Sequence, residues 1–395
     1  MPLPIGPFPY QLINGTLADA NQVMADFNWL LNGVNSLPWP LPGSQIANYN
    51  KLLNPFMEID QANEGAAVTV NAGIRTIDGF AAGVSATGGT WASGRTSGPP
   101  GYANSLYLQT GTAASAMPAG GYAQIYQQIE ADDIQDTLFG TANAQPLTVS
   151  FWAQCSIAST YYLALYNTGA TRSYLAPFTI ATANTWQLIT VTIPGDTAGT
   201  WTTQGNGVGL KIGWTVGSGT TYQGAPNAWT SANLIGGTGM SNAFVTTASA
   251  IFELGPCKLE VGSTATPMLR QSFQQELARC QRYYEKSYDP GVAIGTAKTA
   301  GSGSVVWVGG PNATGTTTGV ALTTYFKSTK RAAPTFSYYS NAGAANGFTF
   351  TAAGGSWVEG GTFTVLSHPT NMIPLYNGTT NLTGISFDWV ADARL

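Results

Sequence analysis

The sequence predicts a mainly β protein: an antiparallel jelly-roll sandwich, a smaller C-terminal β-sandwich, and short helices at the N-terminus and between the two. Three observations carry that prediction. Gly, Pro, Thr, Ser and Asn dominate the chain, with 48 Gly and 22 Pro among 395 residues, a mixture that suits many short strands joined by turns. Apolar residues recur at period two over most of the length. The aromatic content (11 Trp, 18 Tyr and 16 Phe) supplies large side chains for packed cores, which separates the chain from disordered sequences of similar polarity.

Residues 1–54 form the first unit. Pro2, Pro4, Pro7 and Pro9 make an extended lead-in. Asp19 with Gln22 reads as a variant capping box, and Val23, Met24, Phe27, Leu30, Leu31 and Val34 follow at helical spacing. This amphipathic helix has too little sequence around it to bury its own stripe. Val23, Phe27 and Leu30 are therefore assigned to an oligomer interface. The alternative is packing on the chain itself.

Residues 55–268 change to strand period. Tyr122, Gln124, Tyr126, Gln128 and Glu130 alternate with Ala123, Ile125, Gln127 and Ile129. Leu147 to Trp152, Tyr161 to Tyr166, Trp186 to Ile193, Val208 to Val216 and Ala250 to Val261 are further strands, separated by turns such as Pro194-Gly195-Asp196. So many short strands in one segment indicate the jelly roll.

Residues 269–288 break the β pattern. Phe273, Leu277, Cys280 and Tyr284 fall at spacings of four, three and four, the stripe of a five-turn helix that either braces the two β domains or forms an oligomer junction. All four join the predicted oligomer interface. Glu276 is spaced to pair with Arg279, and Glu285 with Arg282, each pair contributing about 0.2–0.5 kcal/mol. Residues 289–395 return to strands at 303–309, 319–326, 335–339, 347–352, 361–367 and 383–391.

Charge limits the function classes. Only 9% of residues are charged and the net charge is −4, so neutral polar surface or contact with other subunits must cover much of the molecule. Scattered bases leave no nucleic-acid footprint. No apolar run is long enough for membrane insertion by a helix, and no Lys or Arg precedes Lys51, so no secretory leader is expected. Three cysteines without CxxC spacing (Cys155, Cys257, Cys280) fit buried thiols rather than a disulfide framework or a zinc site.

Catalytic groupings are sparse. The one histidine, His368, stands before a proline with no nucleophile elbow in the chain. Glu130, Asp132, Asp133 and Asp136 form the densest acidic stretch and are the candidates for a glycan hydrolase, which needs two carboxyls about 5–9.5 Å apart. Their place at a strand end reads instead as a turn or helix cap. Glu58, Asp60 and Glu64 form a second acidic group that admits a structural calcium, and no other cofactor is expected. For weak sugar binding, an aromatic platform with amides beside it suffices. Trp201, Trp214, Tyr222 and Trp229, in Gly/Ser/Thr-rich context, are the candidates, although Trp214 also fits a core position.

With these pieces placed, one segment resembles a signature of bacteriophage tail-fibre and related virion proteins. It keeps Leu259, Glu260, Gly262, Ala265, Thr266, Pro267, Glu276, Leu277 and the run Cys280 to Tyr284, and departs at Met268 and Leu269, where Phe-Glu is usual. The segments Leu12 to Asn28, Lys330 to Thr335 and Phe387 to Leu395 are similar to the flanks of that family. The middle domain resembles carbohydrate-binding-module-like jelly rolls. The resemblance implies a homotrimeric, non-enzymatic fibre on the virion. It would dock on other virion structural proteins through its N-terminal segment and contribute to host adsorption by binding a surface glycan. The alternatives are a purely structural head fibre, decoration or connector protein, and a surface-polysaccharide depolymerase.

Overall fold

The computed structural model describes residues 24, 26–28, 49–71, 73–308, 320–352, 355–378 and 382–395. The chain forms two compact units, Met1–Asn48 and Tyr49–Leu395. Of the first, Met24, Asp26, Phe27 and Asn28 are helical, with Met24 and Phe27 54% and 57% exposed. Val23 and Leu30, the other residues of the expected stripe, lie outside the described residues.

The second unit holds both sandwiches and the segment between them, so the jelly roll, joint and C-terminal domain are packed together. Asn50 to Asn54 belong to it as well: Asn50 Oδ1 accepts from Leu259 N at 3.0 Å, and Asn54 N donates to Glu276 Oε1 at 2.6 Å.

The jelly roll faces a six-stranded sheet against a seven-stranded one. The first runs in the order Val68–Thr69, Trp91–Ser97, Asn104–Thr110, Ile251–Val261, Leu147–Cys155, Gln187–Ile193. The second runs Trp229–Thr230, Ser173–Ile180, Ser159–Asn167, Val208–Ser218, Tyr122–Glu130, Phe80–Ser85, Ile74–Ile77. Alternation turns Phe80, Ile125, Leu163, Ile212 and Trp214 of the second sheet toward Val149, Phe151, Phe252 and Leu254 of the first. Trp214 sits at the centre, 5.9 Å from Phe151 in an edge contact and 6.2 Å from Phe80. Such ring pairs contribute about 0.5–1.5 kcal/mol each beyond their burial.

The joint begins where strand Ile251–Val261 ends. Glu260, fully buried, pairs with Lys258 at 3.0 Å and accepts from Thr266 N at 2.8 Å. This folds Ala265-Thr266-Pro267 back onto the strand. Ser272 then caps a helix over Phe273–Gln281 through a capping box with Gln275. The helix is shorter than its spacing predicts. Tyr284 lies instead in strand Tyr284–Lys286, paired with Leu382–Asp392 of the C-terminal domain.

The expected interface stripe is corrected accordingly. Cys280 and Tyr284 are 0% and 4% exposed within the chain, so neither is free to meet another copy. The buried side of the helix is polar, made by Glu276, Cys280 and Gln281. Phe273 is exposed and Leu277 half-buried. Glu276 pairs with Arg279 at 3.0 Å as its spacing suggests. Arg282 pairs not with Glu285 but with Glu130 on the jelly roll, and Glu285 pairs with Lys330.

In the C-terminal domain, the long strand Leu382–Asp392 is paired along both edges. Val305–Val308 and Phe348–Ala352 flank its first half, Tyr284–Lys286 and Thr335–Tyr339 its second. A second sheet of Val320–Tyr325, Met372–Asn377 and Thr364–Val365 completes a smaller sandwich. Its core is aromatic, with Phe348 stacked on Phe363 at 4.3 Å and Phe363 edge-on to Phe387 at 5.0 Å.

Candidate functional site

The seven-stranded sheet has a second face, turned away from the core, whose side chains follow from the same alternation. Register places them in rows. Gly83, Gln124, Thr215 and Tyr162 form one; Arg75, Ala81, Tyr126, Gly213 and Ala164 form the next; Gln128, Lys211 and Tyr166 form a third. Small residues occupy the middle of the sheet and tyrosines and glutamines stand around them, which makes a trough.

Two glycines shape its floor. A Cβ on Gly213 would lie 2.7 Å from Gln124 Oε1, so the Gln124 amide lies across that glycine. A Cβ on Gly83 would lie 3.0 Å from the Tyr122 ring, which lies over it in the same way. Tyr122 meets Tyr222 edge-on at 6.4 Å.

A wall is built by the loop that follows strand Val208–Ser218. Its Gln223–Gly224 and Gly236–Gly237 pair in parallel. The loop packs Ile235 and Leu234 against Ala164, Leu175 and Tyr162, with Gly237 hard against the Tyr162 ring. Tyr166 is buried beside this wall. Tyr122, Tyr126, Gln128, Lys211 and Arg75 remain half-exposed.

Polar atoms on the floor lack protein partners. Gln124 Oε1 and Thr215 Oγ1 are buried and accept or donate no hydrogen bond within the described residues. Leaving such groups unpaired costs about 1–3 kcal/mol each. Arg75 donates to Gln128 Oε1 at 2.9 Å. Lys211 Nζ lies 5.8 Å from the centre of the Tyr166 ring. At the end of the face near Arg75 and Gln128 opens a cavity of about 260 Å³, bordered also by Lys51, Glu130, Arg282 and Arg394.

The residues singled out from sequence fall in different places. Tyr222 stands at the trough. Trp214 is fully buried in the sandwich core and cannot present a ring to a sugar. Trp201, also buried, and Trp229, half-buried, meet edge-on at 5.5 Å in a cluster with Phe139. Their indole nitrogens donate to Asp196 Oδ2 at 3.0 Å and Pro194 O at 2.7 Å. These two tryptophans close one end of the sandwich and are not a platform.

The acidic groups are committed elsewhere. Glu130 accepts from Arg282 Nε at 2.9 Å and from the Tyr283 hydroxyl at 2.7 Å, which fastens the joint to the jelly roll. Asp132 Oδ1 accepts from Gly205 N at 2.7 Å, and Asp136 pairs with Lys51 at 2.5 Å. Burial, then the neighbouring Glu130, pushes the Asp133 carboxyl above its ordinary range.

Glu58, Asp60 and Glu64 do not converge as calcium ligands: Glu58 pairs with Arg270 at 2.6 Å, Asp60 accepts from Asn63 N and Gly65 N, and Glu64 pairs with Lys286. Among the described residues no three His, Cys, Asp or Glu side chains are grouped to hold a metal. His368 Nδ1 lies 3.0 Å from Pro334 O. Cys155, Cys257 and Cys280 are buried free thiols. Among the described residues no helix is long and apolar enough to cross a membrane.

Sequence reasoning missed Arg75, Gln124, Tyr126, Thr215 and Lys211 as site residues. The signal for part of this set was present in the Tyr122-Gln124-Tyr126-Gln128 alternation.

No protein-family model matches the sequence, and no curated protein matches it. Among solved structures, the chain is similar to the family 11 carbohydrate-binding module of the cellulosomal cellulase Lic26A-Cel5E of Clostridium thermocellum. Identity is 12%, coverage 55% of this chain and 96% of that one, and the TM-score 0.28. It is similar to TmCBM61, solved with β-1,4-galactotriose, at 9% identity over 54% of this chain and 99% of that one, TM-score 0.26. It is also similar to the enzymatically active domain of tailspike protein 4 of bacteriophage CBA120, at 11% identity over 54% of this chain, TM-score 0.26. The match spans 21% of that tailspike chain.

Proposed function

We propose that this chain is a non-enzymatic virion fibre protein, assembled as a homotrimer, whose jelly roll binds a host-surface glycan in the trough of the seven-stranded sheet. The observation that carries the glycan reading is the face itself: Tyr122, Tyr126 and the Gln128 amide are half-exposed there, beside Arg75 and Lys211. A sugar offers what this surface needs, hydroxyls for the polar atoms and C–H faces for the rings. The engagement of Glu130 by Arg282 and Tyr283 supports binding over hydrolysis. The virion role rests on the resemblance of the segment from Leu259 to Tyr284.

Native electrophoresis through gels carrying surface polysaccharides tests the trough. Gly213→Ala inserts a methyl where the Gln124 amide lies, and the displaced group is the end of a flexible side chain, so folding is little affected. Retardation of the wild type is expected, with affinity reduced about tenfold, or about 1.4 kcal/mol, in Gly213→Ala and in Tyr126→Ala. Equal retardation of both variants and the wild type would place the site elsewhere.

The trimer has its own support. Met24 and Phe27 are exposed in the first unit, and Val306, Val308, Tyr325 and Leu366 are exposed on the C-terminal sandwich, apolar surface that further copies would cover. Sedimentation equilibrium is expected to give three times the chain mass of 41.2 kDa. A single-chain mass at micromolar concentration would remove the trimer from the proposal.

A further inference from the structure

The geometry points to an acidic glycan: the trough takes a saccharide whose carboxylate lies between Arg75 and Lys211. The inference rests on the glycan-binding reading above and narrows it to a substrate class.

Two cations stand on the tyrosine face without anions of their own. Arg75 comes from strand Ile74–Ile77 and Lys211 from Val208–Ser218, with strands Phe80–Ser85 and Tyr122–Glu130 passing between them. Gln128 sits directly across from Lys211 in register and accepts from Arg75, so one amide adjoins both cations. Neither pairs with a carboxylate among the described residues. The acid nearest in kind, Asp392, is held by Arg394 through contacts of 3.0 and 2.5 Å. Glu130, at the end of the same strand, is held by Arg282 and Tyr283.

Of the other 13 cations, ten are paired with carboxylates, while among the described residues Arg95, Lys327 and Arg331 are not, Arg95 and Arg331 donating to backbone carbonyls instead. Lys51, Arg172, Lys258, Arg270, Arg279, Arg282, Lys286, Lys298, Lys330 and Arg394 all have carboxylate partners. In a protein with 19 acids against 15 bases, Arg75 and Lys211 are set apart by standing close together on one sheet face, partly buried and joined through Gln128. Their mutual repulsion and burial both disfavour the charged forms: burial first, then Arg75, lowers Lys211, and burial lowers Arg75. An incoming carboxylate would relieve both effects. The Arg75 guanidinium offers a fork for the two carboxylate oxygens and Lys211 a point charge. Tyr126, next to Arg75 across Ala81 in register, would carry the sugar ring.

The test uses the full-length protein in native gels with two sets of polymers. The acidic set is polygalacturonate, alginate, hyaluronan and polysialate, each run beside its carboxyl-reduced form. The neutral set is xylan, mixed-linkage β-glucan, galactan and mannan. At least one acidic polymer is expected to retard the protein, with the effect lost on carboxyl reduction and weakened by raising salt. Arg75→Gln combined with Lys211→Gln should lower that affinity at least tenfold. Lys327→Gln, a change of like charge at an exposed lysine, should leave it unchanged, which separates a local site from general attraction to a polyanion. Thermal unfolding of each variant confirms folding. Binding to neutral polymers alone, or to acidic ones undiminished in the double variant, would overturn the acidic specificity and leave the glycan reading standing. Binding to neither set would overturn both.

Discussion

Replacing Glu285 by alanine is expected to destabilise the second unit by about 3–5 kcal/mol, the usual cost of removing one partner from a buried ion pair. Glu285 and Lys330 side chains are both 0% exposed. Glu285 accepts from Lys330 and, through its other oxygen, from Lys327 N at 2.9 Å. Lys330 also donates to the Ser328 carbonyl at 3.1 Å and lies 4.7 Å from the Phe326 ring centre. Burial lowers the Lys330 ammonium and Glu285 counteracts it. Without Glu285 the burial is unopposed, so the unfolded chain holds the Lys330 proton more readily than the folded one. Stability of Glu285→Ala should then rise with pH as it approaches the lysine range. Methionine at both positions removes the two charges together and is expected to recover about half of the loss. Denaturant unfolding followed by tryptophan fluorescence checks all three variants. A Glu285→Ala protein within about 1 kcal/mol of wild type would mean that water reaches the pair.

That pair also explains where sequence reading fell short in the joint. Spacings of four, three and four from Phe273 to Tyr284 describe a helical stripe, and the first nine residues form the helix. Its end is set from outside. Arg282 and Tyr283 turn away to reach Glu130, and Tyr284 to Lys286 add to a strand whose partner, Leu382–Asp392, comes a hundred residues later in order. Local periodicity carries no information about such a partner. Strands with a clear inward pattern were legible: Thr335–Tyr339 was read to the residue, and Leu147–Cys155 only lost its last turn of alternation, where Gln154 pairs across to Glu253.

The trough was half legible. Tyr122, Gln124, Tyr126 and Gln128 alternate with Ala123, Ile125, Gln127 and Ile129, and a strand that buries the alanine and isoleucines must turn its tyrosines and amides the other way. The sequence reading followed the tryptophans instead. A Trp is so large that the sandwich uses it first as filling: Trp201 and Trp229 close one end around Phe139, and Trp214 fills the middle. Arg75 and Lys211 were not legible as a pair, because only the folding of four strands side by side makes them neighbours.

Trp214→Ala is the second large effect expected, a loss of about 3–5 kcal/mol from a cavity at the centre of the sandwich. Trp214→Phe should cost much less. The indole Nε1 is buried with no partner among the described residues, so phenylalanine gives up volume while removing an N–H whose desolvation none of them offsets. Phe151 and Phe80, at 5.9 and 6.2 Å, would keep an aromatic neighbour. Denaturation midpoints measure both variants, and glycan affinity is compared well below the midpoint, where each is folded. If Trp214 were a sugar platform, Trp214→Ala would abolish binding and spare stability. The opposite is expected, because Trp214 and Thr215 are successive residues of one strand and point to opposite faces. The indole fills the core, and the hydroxyl beside it in sequence lies on the floor of the trough. One step along the chain separates the face that holds the sandwich together from the face proposed to meet a ligand.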